Sequence, residues 1–254
     1  MWEDLKGKVG VITGAGRGIG LAYGAAMAEA GMKVALTDVL DDEGEQAAAE
    51  LREKGHDVVF VHADVSDETS VASMAEQVAE AFGGIDVLVN NAAIWGDLSF
   101  ASVFDISSER WDKAYGVNVK GVFQTSVACA PYMKDRPGAA IVNQASTAAY
   151  MATPRTADYS SGKAAVITLT KVLAKSFGEM GIRVNALAPG GIATDASLSK
   201  PVDLFAPEAV AQQCIKRPGT TEELIGPLLF LSSEASGYIS GQTLVVDGGK
   251  TMPA

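Results

Sequence analysis

Short apolar runs, rich in Val and Ile, recur along the chain between longer stretches of mixed polarity. Several of these runs are apolar at consecutive positions, as in strands that helices cover on both faces. The pattern predicts strands at Lys8–Ile12, Lys33–Thr37, Val58–His62, Val87–Asn90, Ala140–Gln144, Arg183–Leu187 and Thr243–Val246.

The stretches between the runs have helical periodicity. The clearest one, after Ser66, repeats apolar residues at intervals of three and four, at Val71, Met74, Val78 and Phe82. Gly83 should end this helix, because glycine adopts the left-handed conformation that follows many helices. Two more helices are predicted, Ala25–Ala30 before Gly31 and Ala164–Phe177 before Gly178.

Alternation of strands and helices predicts a doubly wound α/β fold, a parallel sheet of about seven strands with helices on both faces. No linker or repeat interrupts the 254 residues, so we expect one domain over 1–254. The Ala-, Ser- and Pro-rich stretch 193–216 is expected to leave the core and close over a substrate as a lid.

Composition excludes several function classes. The chain has 31 acidic and 20 basic residues and no basic cluster, so a nucleic-acid partner is not expected. No secretory leader is evident, and no apolar run approaches the ~18 residues of a membrane helix. Cys129 and Cys214 lack metal-like spacing, and His56 and His62 are interpreted as structural. We therefore expect a cytoplasmic protein without a metal or a membrane partner.

The segment "TGAGRGIG", residues 13–20, directly follows the first predicted strand. Its glycines miss the G-x-G-x-x-G spacing, yet they must form a turn and open a helix. Glycine allows positive φ and close backbone approach to a ligand, and a helix N-terminus suits a pyrophosphate. A tight turn without a ligand is the alternative.

Asp38 ends the second predicted strand, 18 residues after Gly20. A carboxylate at this place can accept hydrogen bonds from an adenosine ribose diol. The alternative is a helix cap or a solvated charge within "DVLDDEGE".

The spacing Gly14-x-x-x-Gly18-x-Gly20 resembles that of short-chain dehydrogenases/reductases. Other segments are similar to that family in the same order, from about Lys6 to Gly249: "DVS" at 64–66, "NNAA" at 90–93, "GVNVKG" at 116–121, "YSSGK" at 159–163, "PGGIAT" at 189–194 and "VDGG" at 246–249. Ala93 departs from the family's glycine, and "QAST" replaces its usual serine pair. The resemblance implies a Rossmann-like oxidoreductase, expected to be a homotetramer with helices near 100–135 and 160–178 at subunit contacts.

Four residues match the family's catalytic set. The resemblance implies that Ser146 orients the substrate oxygen and that Tyr159 exchanges the hydroxyl proton. It also implies that Lys163 holds the nicotinamide ribose, and that Asn118 holds a helix bend and a proton-carrying water. Tyr159 and Lys163 share one helix face, so the ammonium is expected to lower the tyrosine pKa from about 10.

The expected dinucleotide contacts follow from the same resemblance. They are Gly14, Arg17, Gly18, Ile19, Gly20, Asp38, Asp64, Val65, Asn91, Ala93, Tyr159, Lys163, Pro189, Gly190, Ile192 and Thr194.

Charge at Asp38 decides the expected coenzyme. Two like charges ~4 Å apart repel by ~4 kcal/mol at an effective dielectric of 20, before screening, which disfavours a 2′-phosphate. Arg17 argues the other way, since basic residues near that position contact the phosphate in some relatives. NAD is predicted.

Apolar residues near the expected site are Ile94, Trp95, Tyr150, Met151, Leu198, Leu204 and Phe205. They predict a secondary alcohol or ketone, cyclic or aryl-bearing, contacted by Trp95, Tyr150, Phe205, Ser146 and Tyr159. Packing of the lid is an equal alternative for these side chains. Two other functions stay open, an NADPH-linked 3-ketoacyl-type reductase and a non-catalytic dinucleotide sensor or scaffold.

Overall fold

The computed structural model describes residues 2–95, 101–151, 154–198 and 205–253. Within them, seven strands form one sheet in the order β3-β2-β1-β4-β5-β6-β7, and every neighbouring pair is parallel. The strands are β1 Val9–Thr13, β2 Lys33–Asp38, β3 Val58–His62, β4 Val87–Asn90, β5 Ala140–Gln144, β6 Arg183–Pro189 and β7 Thr243–Val246.

Helices cover both faces of this sheet. They are α1 Gly18–Glu29, α2 Asp41–Glu53, α3 Glu68–Phe82, α4 Ser108–Tyr115, α5 Val122–Met133, α6 Ala148–Met151, α7 Ala157–Phe177, α8 Asp195–Leu198, α9 Pro207–Ala211 and α10 Glu222–Ser232. Helices α1, α2 and α10 share one apolar core with the sheet, and α3, α5 and α7 share another on the opposite face. The predicted doubly wound fold is confirmed.

All seven predicted strands occur. The inner strands β1, β4 and β5 are buried along their whole length, whereas the edge strands β3 and β7 are partly exposed. Three strands differ from the prediction in their bounds: β1 lies one residue later, β2 extends to Asp38, and β6 continues to Pro189. The helix predicted after Ser66 is α3. The side chain of Asp67 caps its first turn by accepting from Thr69 and Ser70, and Gly83 follows it with φ +83°.

Two helices begin earlier than predicted. Helix α1 starts at Gly18 rather than at Ala25, and α7 starts at Ala157 rather than at Ala164. The first turns of α7 contain small polar residues without apolar periodicity, and local hydrogen bonds hold them. The Ser161 hydroxyl donates to the Ala157 carbonyl at 2.5 Å.

The sheet order reverses between β1 and β4, since the chain continues outward from β1 in one direction and from β4 in the other. In doubly wound sheets the ligand crevice lies at the carboxyl ends of the strands beside this reversal. After β6, the described residues 193–198 and 205–216 form no strand of the sheet, and an isolated bridge pairs Ile192 with Gly219. In the described part of the chain, no helix has the length and apolarity needed to cross a bilayer.

Candidate active site

A cleft of about 800 Å³ opens at the carboxyl ends of the strands. Every residue that the sequence predicts to contact a dinucleotide lines this cleft, from Gly14 in the glycine segment to Thr194 after β6. Ser146 and Trp95 line the same cleft. The fold therefore brings together segments that follow six different strands.

The glycine segment forms one wall of the cleft. Gly14 has φ +65°, and a Cβ added there would lie 2.7 Å from the Ala92 Cα. At Gly18, with φ +60°, nothing lies within 4 Å of an added Cβ, so this backbone faces open space. Arg17 precedes α1 and provides no side-chain cap, which leaves the first N–H groups of the helix available to an anion. This wall fits a dinucleotide pyrophosphate.

The Asp38 carboxylate is fixed by main-chain donors at the edge of the cleft. It accepts hydrogen bonds from Gly16 N at 2.9 Å, Val39 N at 2.8 Å and Leu40 N at 3.2 Å. The carboxylate does not cap α2, because Leu40 is the N-cap residue of that helix and no side chain caps it. A carboxylate can accept more than three hydrogen bonds, so these three leave capacity for a ribose diol.

The segment after β3 is similarly ordered. The Asp64 carboxylate accepts from the backbone N and the hydroxyl of Ser66 at 2.9 and 2.7 Å. Gln124 donates to the Val65 carbonyl at 2.9 Å. These bonds fix the loop that forms the far end of the cleft.

Tyr159, Lys163 and Ser146 meet at the other end of the cleft. The two helix residues lie one turn apart on α7, and Ser146 follows β5. The Tyr159 and Ser146 hydroxyls are hydrogen-bonded. Lys163 Nζ donates to the Gln144 carbonyl at 2.7 Å and lies 5.6 Å from the Tyr159 ring centroid.

Burial dominates the proton affinities of both helix residues. It raises the pKa of Tyr159 to about 12, against a smaller lowering by the Ser146 hydrogen bond. It lowers the pKa of Lys163 to about 8. The pKa of Tyr159 is therefore raised, against the expected lowering, because desolvation of the phenolate outweighs the hydrogen bond from Ser146.

Asn118 lies beneath the cleft and does not line it. It sits in a π-helical segment, Gly116–Gly121, that joins α4 to α5, which agrees with the expected helix bend. Its side chain accepts from Ile94 N at 2.8 Å and donates to Ile94 O at 3.2 Å. Asn118 thereby holds the main chain next to Trp95.

The predicted substrate residues separate into two groups. Trp95 lines the cleft, and its ring lies against that of Tyr159 with centroids 4.5 Å apart. Tyr150 and Phe205 are not among the residues that line it. Tyr150, on α6, is 37% exposed to solvent. Leu204 lies outside the described residues, and Leu198 is 64% exposed.

Several residues at this site were missed from the sequence. Gln144, Thr147, Thr156, Ser197, Asp112 and Lys113 line the cleft as well. The fully buried Asp158 carboxylate accepts from Arg110 Nε at 2.8 Å and from Tyr159 N at 2.9 Å, so an ion pair anchors the start of α7. The only sequence signal for this anchor is the position of Asp158 directly before Tyr159.

Comparison with known proteins identifies the lineage. The family profile described as enoyl-(acyl carrier protein) reductase matches residues 14–251, nearly the whole chain. The chain belongs to the short-chain dehydrogenase/reductase family. This family is one of oxidoreductases, and the resemblance seen in the sequence is thereby confirmed.

Individual members of the family align along the full chain. An uncharacterized oxidoreductase of Thermotoga maritima is 40% identical, covering 98% of this chain and 97% of its own. A 3-oxoacyl-[acyl-carrier-protein] reductase of Synechocystis is 37% identical, covering 98% of each chain. The crystal structure of a Burkholderia cenocepacia gluconate 5-dehydrogenase with NADP and tartrate superposes with a TM-score of 0.91, 32% identity, and coverage of 100% and 99%.

Proposed function

We propose that the protein is an NAD-dependent dehydrogenase that interconverts a secondary alcohol and its ketone. The observation that carries the proposal is the placement of Ser146, Tyr159 and Lys163 in the cleft that the predicted dinucleotide contacts line. A non-catalytic dinucleotide sensor would have no need of this constellation.

The side chains have complementary tasks in this reaction. Ser146 holds the substrate oxygen. During reduction Tyr159, protonated at neutral pH, donates its hydroxyl proton to that oxygen and becomes a phenolate. During oxidation the transfer runs in reverse, and the phenolate form of Tyr159 accepts the proton of the substrate hydroxyl. A bound nicotinamide would supply or take up the hydride. Asn118 keeps the wall beside Tyr159 in place through the backbone of Ile94.

The coenzyme preference rests on Asp38. Its carboxylate is held at the cleft edge by three backbone N–H groups, so it cannot swing away from a 2′-phosphate without losing them. The Burkholderia neighbour is described with NADP, and the exposed Arg17 of this chain lines the cleft nearby. A carboxylate fixed in this way can accept hydrogen bonds from the two hydroxyls of an unphosphorylated ribose, whereas it repels a 2′-phosphate. This supports NAD.

The substrate proposal rests on the wall beside Tyr159. Ile94, Trp95, Met151 and Ile192 supply apolar surface there, while Thr147 and Thr156 add hydroxyl groups. A cyclic or aryl-bearing secondary alcohol fits a wall built around an indole ring. Segment 193–216 is proposed to close over it, since Thr194 and Ser197 already line the cleft.

The experiment is a panel of secondary alcohols, cyclic, aryl-bearing and polyhydroxylated, supplied with NAD or NADP and followed at the NADH absorbance band. Turnover of a cyclic or aryl alcohol with NAD supports the proposal. Reduction of a 3-ketoacyl thioester with NADPH alone would favour the second candidate, to which the Synechocystis relative points. Dinucleotide binding without turnover of any compound would indicate the sensor.

A further inference from the structure

A buried polar pair connects the first helix to the wall of the cleft. Tyr23 on α1 is fully buried, and its hydroxyl donates to Gln144 Oε1 at 3.0 Å. Burial raises the pKa of this tyrosine far above 10, so the hydroxyl keeps its proton and remains a donor. The two side chains come from positions 121 residues apart, which makes their pairing a product of the fold.

The other end of the Gln144 amide carries two N–H donors. Its oxygen is occupied by Tyr23, so the two N–H groups of Nε2 point away from α1. No described residue accepts a hydrogen bond from Nε2, yet the side chain is not sealed in the core, because Gln144 keeps 7% of its surface exposed and lines the cleft. A donor on a cleft-lining side chain that has no protein acceptor is free to donate to an acceptor on a ligand.

The position of β5 tells which end of a dinucleotide this donor would meet. Strand β5 is three places from β2 in the sheet, about 14 Å at ~4.8 Å per strand. Asp38 at the end of β2 is the proposed ribose contact of the adenosine half. Gln144 instead adjoins Lys163, which donates to its carbonyl, and precedes Ser146 by two residues.

We infer that Gln144 donates a hydrogen bond from Nε2 to an acceptor oxygen in the nicotinamide half of the dinucleotide, and that Tyr23 orients the amide for it. Gln144 is then a binding residue, and Tyr23 is a positioning residue that acts through it. The inference rests on the proposed function, since it needs a dinucleotide in this cleft.

The test measures dissociation constants by calorimetry for NADH and for AMP, which lacks the nicotinamide half. Gln144→Met keeps the length of the side chain and the carbonyl that holds Lys163, and Tyr23→Phe removes only the hydroxyl. Each variant should weaken NADH binding roughly fivefold, the effect of one hydrogen bond of about 1 kcal/mol, and leave AMP binding unchanged. In the Gln144→Met background, Tyr23→Phe should have no further effect on the NADH constant.

Three outcomes overturn the inference: unchanged NADH binding in Gln144→Met, unchanged NADH binding in Tyr23→Phe, or equal losses for NADH and AMP, which would indicate a general disturbance of the fold. If a single variant does not fold, the double variant serves, because replacing both polar partners by apolar groups of similar shape is nearly neutral. It should show the same selective loss. Absence of NADH binding by the unmodified protein would instead refute the proposed function.

Discussion

Tyr159 is the residue on which turnover should depend most. Tyr159→Phe keeps the ring that lies against Trp95 and removes the hydroxyl bonded to Ser146. We expect turnover to fall by about 10² to 10⁴, the usual contribution of a general acid or base, with NADH affinity nearly unchanged. Steady-state kinetics and calorimetry measure the two effects. The exposed Tyr238→Phe is the matched control, and near-normal turnover of Tyr159→Phe would rule out the mechanism.

Asp38 should set the coenzyme preference. Asp38→Asn removes the charge and keeps an acceptor oxygen, whereas Asp38→Ala also removes the bonds to Gly16, Val39 and Leu40. We expect Asn to raise kcat/KM for NADP relative to NAD by at least about tenfold, or 1.4 kcal/mol, since the charge alone repels the phosphate. An unchanged ratio in Asp38→Asn would remove the electrostatic explanation.

Lys163 should make stability depend on pH in a defined direction. Its pKa is about 8 in the folded protein against 10.5 ordinarily, so between these values the unfolded chain binds more protons. The free energy of unfolding must then rise with pH across this window, by up to about 3 kcal/mol at ~1.4 kcal/mol per pKa unit. Below pH 8 both states are protonated and the contribution is constant.

The isosteric Lys163→Met variant cannot titrate at this position. The difference in unfolding free energy, lysine protein minus variant, should therefore increase between pH 8 and 10, measured by urea denaturation at equal chain concentration. The window ends at pH 10 because Tyr159, with a raised pKa, lowers stability above it. A flat or falling difference contradicts the assigned environment.

These residues also show what the sequence could and could not predict. Tyr159, Lys163 and Ser146 were predicted as catalytic from the resemblance of their motifs to a family, and the fold brings the three into one cleft. The direction of the tyrosine pKa was predicted wrongly, since burial is a property of the folded core. The Tyr23–Gln144 pair could not be predicted from the sequence, because the two residues are 121 positions apart and no local motif connects α1 with β5.

At the scale of the elements, the glycine segment depends on contacts rather than on flexibility alone. A Cβ at Gly20 would clash with the Gly14 carbonyl oxygen and lie 2.6 Å from Asn91 Nδ2. That amide donates to the Thr13 and Gly14 carbonyls at 3.0 Å. The Asn91 side chain therefore cannot move aside without losing the hydrogen bonds that hold the glycine segment. Tight packing of α1 against this loop is therefore what fixes the first N–H groups of the helix.

Gly20→Ala should lower the free energy of unfolding by about 2 kcal/mol or more, as overpacking does, and abolish NADH binding. Gly178→Ala is the matched control, because this glycine has φ −58° and nothing within 4 Å of an added Cβ. It should stay within about 0.5 kcal/mol of the unmodified protein. Urea denaturation and NADH titration check both variants, and normal binding by Gly20→Ala would contradict the packing argument.

Helices and strands were predictable where burial gives the sequence a periodic apolar pattern. They were less predictable where contacts between separate elements determine where a helix begins. The strands were predictable because they are short apolar runs, and the inner ones are buried along their whole length. The early start of α7 was missed because Asp158 and Arg110 hold it by an ion pair between separate elements. The π segment Gly116–Gly121 has no apolar period of its own, and Asn118 within it was recognised only by resemblance.

On the scale of the whole molecule, the described surface retains large apolar side chains on three neighbouring helices. They are Trp111 on α4, Phe123 and Val127 on α5, and Val172 on α7. Helix α7 contacts both α4 and α5. An apolar surface of this kind is typical of subunit contacts, which supports the proposed homotetramer.

Charges introduced on this surface should therefore disrupt assembly. Val127 is 45% exposed on α5, and Val127→Asp would place a carboxylate in the expected subunit contact, where desolvation without a partner is costly. We expect the unmodified protein to have the mass of a tetramer by light scattering after gel filtration, and the variant to dissociate into smaller species. Val39→Asp is the control, since Val39 is 51% exposed beside the cleft and away from these helices. A monomeric unmodified protein, or a Val127→Asp variant that remains tetrameric, would show that this surface serves no such contact.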